Sequence, residues 1–427
     1  MKRRAKPKFP HSGASRSALE VLGPGLVTGA ADDDPSGIGT YSQVGAQFGY
    51  GLAWTMFFGF PLLASIQAIC ARIGATTGKG IAQNLRQHYP VWLLRTVVIL
   101  LLIANVINLG ADLGAMGEVL GLILPGPVLG FTVAFGLASV LLEVFLSYSV
   151  YARFLKWTTL SLFAYVGVVF VAQVPLAEAA YGTLVPQFTF DKPHAMALVA
   201  IFGTTISPYL FFWQAGQEVE EQHRRHIKPL HVSPHGVAGA ELRRIRTDTL
   251  IGMGFSHVVA LFIVIATAAT LHASGVREIE SAAQAAEALR PIAGNFAFAL
   301  FATGIIGTGM LAVPILAGSA AYAVSEAFGW TEGLDRKPRE AKAFYGVIAL
   351  ATMGGVALNF IGIDPMKALY WSAVVNGLLA PPLMVVTMLI ASNRGVMGNL
   401  AIGPKLKIGG WLSTGVMWVV AGVFLFS

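Results

Sequence analysis

The chain has 427 residues, 55% of them hydrophobic and only 12% charged, and its mean hydropathy is +0.66. Soluble domains carry roughly 25% charged residues, so an ordinary soluble domain is excluded and an integral membrane protein with helical spans is indicated. The net charge of +7 invites a nucleic-acid partner, which the placement of the cations argues against, and the single cysteine, Cys70, excludes a disulfide framework or a multi-thiolate metal site.

Residues 1–18 are basic (Met1-Lys-Arg-Arg-Ala-Lys-Pro-Lys), and no short apolar stretch with a cleavage site comes after them. They read as a cytoplasmic tail and not as a signal peptide. Runs near 20 apolar residues are needed to cross about 30 Å of hydrocarbon. The sequence holds eleven candidates, at about 19–45, 49–71, 91–116, 127–148, 150–173, 195–222, 248–271, 295–328, 343–361, 365–391 and 409–426.

The first of these contains its own interruption. Ala30-Ala-Asp-Asp-Asp-Pro-Ser-Gly-Ile-Gly-Thr40 lies between apolar flanks. Each Asp costs about 2.5–3.5 kcal/mol at a bilayer centre on insertion scales. Pro35 removes a backbone donor and disfavours helix at Asp34, and Gly37 and Gly39 loosen the backbone beyond it. Broken backbone at membrane depth survives only where protein buries it or a wet cavity receives it. The stretch therefore predicts either a discontinuous helix with an anionic, oxygen-rich site or a polar loop between two shorter helices.

Further along, Gly74-Ala-Thr-Thr-Gly-Lys-Gly has the look of a phosphate loop. Its spacing is short by one and no Ser or Thr comes after Lys79, so it reads as a cytoplasmic turn and implies no ATP. Glu143 in span four and His257 in span seven are ionisable groups at membrane depth, either functional or pairing across helices. The segment 222–247 holds His223, His226, His231 and His235 among six cations; irregular spacing and positive surroundings make it a solvated loop. The segment 278–290 reads as a short amphipathic helix capping the bundle.

Span six is interrupted as well: Ile201-Phe-Gly-Thr-Thr-Ile-Ser-Pro-Tyr-Leu carries Gly203, Ser207 and Pro208 near its middle. Spans one and six open two successive five-span sets. Interrupted segments in corresponding positions of two halves point to a transporter built of inverted repeats. Because the repeats hold an odd number of spans, spans one and six run in opposite directions and their breaks can meet at the midplane. Freed carbonyls there, with Asp34, suit a hard divalent cation. The expected architecture is an all-α polytopic membrane protein with a leucine-transporter-like fold. Residues 19–427 form one transmembrane domain, with repeat one at about 19–173, repeat two at about 195–391 and an extra helix at about 409–426.

Lys and Arg alternate sharply between the segments joining the spans. With the N-terminus inside, only Lys192, Arg277, Arg290 and Lys367 fall outside. This distribution predicts a cytoplasmic N-terminus and an external C-terminus, in a bacterial-type inner membrane, and makes the basic residues topology signals instead of a nucleic-acid surface.

Gly23-Pro-Gly-Leu-Val-Thr-Gly with Asp-Asp-Asp-Pro-Ser-Gly after it, then Thr77-Gly-Lys-Gly-Ile and Ala111-Asp-Leu-Gly, together with eleven spans, resembles the natural resistance-associated macrophage protein (NRAMP) family of divalent-metal transporters. The family's Asp-Pro-Gly-Asn motif appears here as Asp34-Pro35-Ser36-Gly37. The resemblance makes Asp34 the metal-binding aspartate, puts Gly37 in place of an asparagine ligand, and nominates the carbonyls of Ala31 and Gly203. The family's Met-Pro-His in span six reads Ile206-Ser207-Pro208, so Ile206 stands where a thioether would touch the ion. A histidine further along that helix is Trp213 here. In span three the family's close Asp and Glu reduce to Asp112, with Glu118 six residues on, facing elsewhere. The pattern is similar to the NRAMP-related magnesium transporters, a divergent branch with a roomier site.

Asn376, before Pro381 and Pro382 in span ten, falls near a polar family position that completes the site, or else bonds between helices. Gln214, Gln217, Glu218 and Glu221 share one helix face and either line a cytoplasmic exit or pair with Arg224 and Arg225. Asp32 and Asp33 flank the site and strengthen its pull on cations.

The expected function is secondary transport of divalent metal ions, Mg²⁺ and Mn²⁺ foremost, by alternating access at a midplane site formed by Asp34, Ala31, Gly203, Gly37, Ile206 and Asn376. The expected partners are the transported ion and the lipid bilayer, with no resident cofactor, ATP or nucleic acid. Alternatives are a proton-coupled Mn²⁺/Fe²⁺ symporter of the same family and a sodium-coupled amino-acid carrier of the same fold, whose substrate carboxylate Asp32, Asp33 and Asp34 would repel. No nucleophile–base pair or HExxH-type helix suggests an enzyme.

Overall fold

The computed structural model describes residues 23–145, 161–172, 174–189 and 191–426, and every regular element in them is helical. The basic tail, the first half of the fifth span and the cations Arg153 and Lys156 lie outside the described residues. Nine helical runs among the described residues are long and apolar enough to cross a membrane. They are spans two to four and six to eleven of the sequence expectation. Span one is absent from that set because Asp32, Asp33 and Asp34 fall within every membrane-length stretch of it.

Those halves are α1 (Pro24–Asp32) and α2 (Pro35–Phe48). α3 (Trp54–Thr77) ends at Gly78, whose left-handed backbone (φ 66°) caps the helix, and Gly80 starts the short α4 (Ile81–His88). The apparent phosphate loop is this helix-to-helix turn. α5 (Val91–Gly121) is span three and α6 (Val128–Phe145) span four; α7 (Phe163–Val171) is the described end of span five. After α8 (Leu176–Leu184), span six divides into α9 (Lys192–Thr205) and α10 (Pro208–Arg224). Then come α11 (His235–Thr267), the short α12 (Ala282–Glu287) and α13 (Arg290–Ala293), and α14 (Ala297–Phe328). α15 (Lys342–Leu358), α16 (Pro365–Ser392), α17 (Arg394–Met397) and α18 (Pro404–Phe426) complete the chain.

Span six is the most enclosed, with 89% of its apolar stretch buried, against 28% for α18 and 22% for α6. The bundle is thus arranged around the two broken spans. Their close neighbours approach without side chains between them. A Cβ at Gly29 of α1 would lie 2.2 Å from the Gly252 carbonyl oxygen of α11, and one at Gly203 of α9 would lie 2.0 Å from that of Ala373 on α16. Small residues let transmembrane helices meet backbone to backbone in this way.

The segment 222–247 departs from the solvated loop expected of it, because α11 starts at His235 and continues the seventh span outward. Its polar residues end a hydropathy window but hold a helix through ion pairs. Arg225 bonds Glu241 at 2.7 Å, and Arg244 bonds Glu241 at 2.9 Å and Glu218 of α10 at 2.7 Å. The histidines form no metal cluster among the described residues. α12 is the short helix expected near 278–290; its Ala282, Ala285 and Ala286 are buried and Ser281 caps it.

Candidate metal-ion site

Both breaks have the same local cause. α1 stops at Asp32, Asp34 is extended (φ −67°, ψ 170°), and Pro35 opens α2. α9 stops at Thr205, Ser207 is extended (φ −69°, ψ 130°), and Pro208 opens α10. Proline disfavours helix in the residue before it, yet its missing N–H costs nothing at the first helical position. Asp-Pro and Ser-Pro therefore each end one helix and begin another.

Asp34 serves as N-cap of α2: its Oδ1 accepts from Gly37 N at 2.7 Å and from Ser36 Oγ at 2.8 Å. The other oxygen, Oδ2, accepts from Asn108 Nδ2 of α5 at 3.1 Å and lies 3.2 Å from the Tyr209 hydroxyl of α10. That hydroxyl is also 3.0 Å from the Ala31 carbonyl oxygen. Tyr209 therefore brings the two breaks together at Asp34 and Ala31. The Gly203 carbonyl lies 2.8 Å from Ser207 Oγ, and Ile206 is fully buried at the break of span six. A Cβ at Gly37 would sit 3.2 Å from the Asp32 carbonyl oxygen, 3.3 Å from Thr204 Oγ1 and 3.4 Å from Asp34 Oδ1. Glycine there leaves that oxygen-lined space unfilled. Asn376 is connected indirectly, donating from Nδ2 to Asn108 Oδ1 at 3.4 Å.

Three more carboxylates are buried around the break. Asp112 Oδ1 accepts from Ser36 N at 3.2 Å, and Ser256 Oγ of α11 lies 2.6 Å from Asp32 Oδ2 and 3.2 Å from Asp33 Oδ1. Asp32 Oδ1, Asp33 Oδ2 and Asp112 Oδ2 are buried without a hydrogen-bond partner among the described residues. Among the described residues none of these carboxylates forms an ion pair with Lys or Arg. Nor do three His, Cys, Asp or Glu side chains gather tightly enough to hold an ion by themselves. A cation here needs one carboxylate supplemented by carbonyl, amide or water oxygens, each of which keeps a second lone pair beyond the bonds described.

Other residues of interest go elsewhere. Glu118 accepts from the Ala282 backbone at 2.8 Å, away from the break. Gln214 receives the Thr28 hydroxyl at 2.6 Å, Gln217 donates to Tyr322 at 3.2 Å, Glu218 pairs with Arg244, and Glu221 with Arg224 at 3.5 Å. That face of α10 is thus tied to its neighbours residue by residue. Trp213 is buried with its ring 6.1 Å from that of Tyr322. His257 Nδ1 lies 3.2 Å from the Met253 carbonyl, and Glu143 is buried in α6 with no hydrogen-bond partner among the described residues for either carboxylate oxygen. Sequence reasoning missed Asn108, Tyr209 and Ser256. Asn108 had a visible signal, a polar residue four positions before Asp112 in an apolar helix; Tyr209 and Ser256 had none.

The model of the family described as natural resistance-associated macrophage protein-like matches residues 25–427. A divalent metal cation transporter MntH of Klebsiella pneumoniae is 26% identical over 430 residues, covering 96% of each chain. Its counterpart in Deinococcus radiodurans is 25% identical over 432 residues, 96% of this chain and 91% of the relative. Among solved structures, the manganese transporter of Eremococcus coleocola superposes with a TM-score of 0.74 at 18% identity, over 94% of this chain and 85% of that one. Mhp1, a nucleobase-cation-symport-1 family transporter in a closed conformation, gives 0.58 at 15% identity, over 95% and 91%. These likenesses bear out the leucine-transporter-like fold with broken helices one and six. The chain belongs to the natural resistance-associated macrophage protein-like family.

Proposed function

We propose that the protein is a secondary transporter that carries divalent metal ions across a bacterial inner membrane, Mg²⁺ first and Mn²⁺ second. The observation that carries the proposal is the convergence of Asp34, the Ala31 carbonyl and Tyr209 where the two helix breaks meet. Asp34 supplies the negative charge, the carbonyls of Ala31 and Gly203 complete the shell, and Gly37 leaves room for a water still on the ion. Ile206 adds an apolar wall where a soft sulfur would favour transition metals; oxygen ligands alone do not reject Mg²⁺. Asn376 acts through Asn108 on the orientation of Asp34. The working unit is the domain of residues 19–427, with repeats at about 19–173 and 195–391 and an extra helix at about 409–426, an N-terminus in the cytoplasm and a C-terminus outside. The related MntH proteins, named for divalent metal cation transport, support the substrate class.

Uptake into proteoliposomes, comparing Mg²⁺, Mn²⁺ and a set of amino acids, tests this. Metal uptake with Mg²⁺ competing against Mn²⁺ is the expected result, and amino-acid uptake without metal uptake would overturn it. For coupling, the proposal is that metal runs down its own electrochemical gradient, since a divalent ion gains about 4.6 kcal/mol per 100 mV, twice the single-charge value. A second mode, protons moving with the metal, has one observation in its favour. Asp32, Asp33 and Asp112 are buried beside Asp34 without a cationic partner among the described residues.

A further inference from the structure

A cavity of about 770 Å³ opens between α3, α11 and the start of α18, away from the helix breaks. Along α3 its wall is Pro61, Ala64 and Ala68, and on α11 it is Leu242, Ile245 and Leu250. At one end it meets Arg72, Arg246 and Lys405. None of the described residues that line it is acidic. Neither Arg246 nor Lys405 enters an ion pair among the described residues, and both are exposed. The nearest acids on α11 are committed elsewhere: Glu241 holds Arg225 and Arg244, and Asp248 holds the backbone of Gly23, Gly25 and Leu26. Arg72 is fixed in place, since its Nε donates to the Leu400 carbonyl at 2.9 Å.

We propose that this groove binds an anionic phospholipid, its phosphate held by Arg72, Arg246 and Lys405 and one acyl chain lying against α3. The dimensions suit it. Pro61 to Arg72 spans eleven residues of helix, roughly 16 Å at 1.5 Å per residue. One leaflet of a hydrocarbon core about 30 Å thick is about 15 Å deep. A chain anchored at the cationic end therefore reaches the bilayer midplane at the far end of the apolar wall. Basic pockets between transmembrane helices are suited to anionic headgroups, while a zwitterionic headgroup brings a cation that this site repels. The N-terminal residues of the chain itself make a poor occupant, because residues 1–18 carry six Lys and Arg.

The full-length protein is tested in competition between phosphatidylglycerol and phosphatidylcholine of equal chain length, with retained lipid counted by native mass spectrometry. The parent protein is expected to retain phosphatidylglycerol preferentially. The double variant Arg246→Gln, Lys405→Gln is expected to lose about thirtyfold of that preference, from about 1 kcal/mol per cation. Arg72 is left alone because its carbonyl bonds are structural. Ala68→Trp, which fills the groove and leaves the charges intact, is expected to displace the lipid too. A double variant that elutes as the parent does and retains the same preference overturns the proposal. So does displacement of phosphatidylglycerol by inorganic phosphate alone, which would reduce the site to an anion patch.

Discussion

The carboxylate of Asp248 on α11 accepts three backbone N–H groups at the start of α1, those of Gly23 at 2.9 Å, Gly25 at 2.7 Å and Leu26 at 3.2 Å. One side chain from the seventh span thus satisfies the helix end that its own sequence leaves uncapped, since Gly23 contributes no side chain. A negative charge at a helix N-terminus also complements the helix dipole. Asp248→Ala is expected to lower stability by about 2 kcal/mol, from a lost cap and amides left buried. Thermal unfolding of parent and variant in the same detergent checks it, with Asp248→Asn expected to fall between the two.

Asp34 stands where both breaks converge, and its replacement separates the site from the scaffold. Asp34→Ala is expected to abolish metal uptake while the protein still inserts and elutes as a folded species. Normal uptake by the reconstituted variant would refute the assignment.

Tyr209 offers a finer test. Its hydroxyl orients Asp34 Oδ2 and the Ala31 carbonyl without adding charge. A hydrogen bond to a charged group is worth about 1.5–3 kcal/mol, so Tyr209→Phe is expected to weaken metal affinity roughly tenfold or more. Concentration dependence of uptake reads this directly, and the ring itself stays to fill its buried place.

On the proposed hard-ion reading, selectivity turns on Ile206. In the parent protein Mg²⁺ is expected to compete with Mn²⁺ at comparable, millimolar-range levels. Ile206→Met places a polarisable sulfur at the break and is expected to shift preference toward Mn²⁺ and Cd²⁺. If excess Mg²⁺ leaves Mn²⁺ uptake untouched in the parent, the hard-ion proposal fails.

Coupling is decided by internal pH in proteoliposomes during metal entry. Uniport predicts a pH that stays constant once membrane potential is clamped. Acidification that tracks metal entry would show that protons accompany the ion, and Asp112→Asn would then be expected to remove the proton flux before it removes the metal flux.

The broken helices were legible because their causes are local. Asp34-Pro35 and Ser207-Pro208 each carry, within two residues, the reason one helix ends and the next begins. Glu118 was legible for a similar reason, as six residues after Asp112 it faces elsewhere on the same helix. The surroundings of Asp34 were less legible, because Tyr209, Asn108 and Ser256 reach the break from three other helices whose rotation is fixed only by packing. The N-terminal part of α11 was hidden by its polarity: Glu241 and Arg244 lower the hydropathy that marks a span, yet both are paired in the fold.

The bare-backbone contacts at Gly29 with Gly252, and at Gly203 with Ala373, act as two seams that cannot slide without collision. α1 is seated on α11, and α9 on α16, with no room for a side chain between them. Between the halves of each broken span lie two residues outside the helices, Asp33-Asp34 and Ile206-Ser207, of which Asp34 and Ser207 are extended. If Ala31 and Gly203 hold the ion as proposed, a hinge at these dipeptides would alter the spacing of their carbonyls directly, and grip on the cargo would be coupled to its exposure.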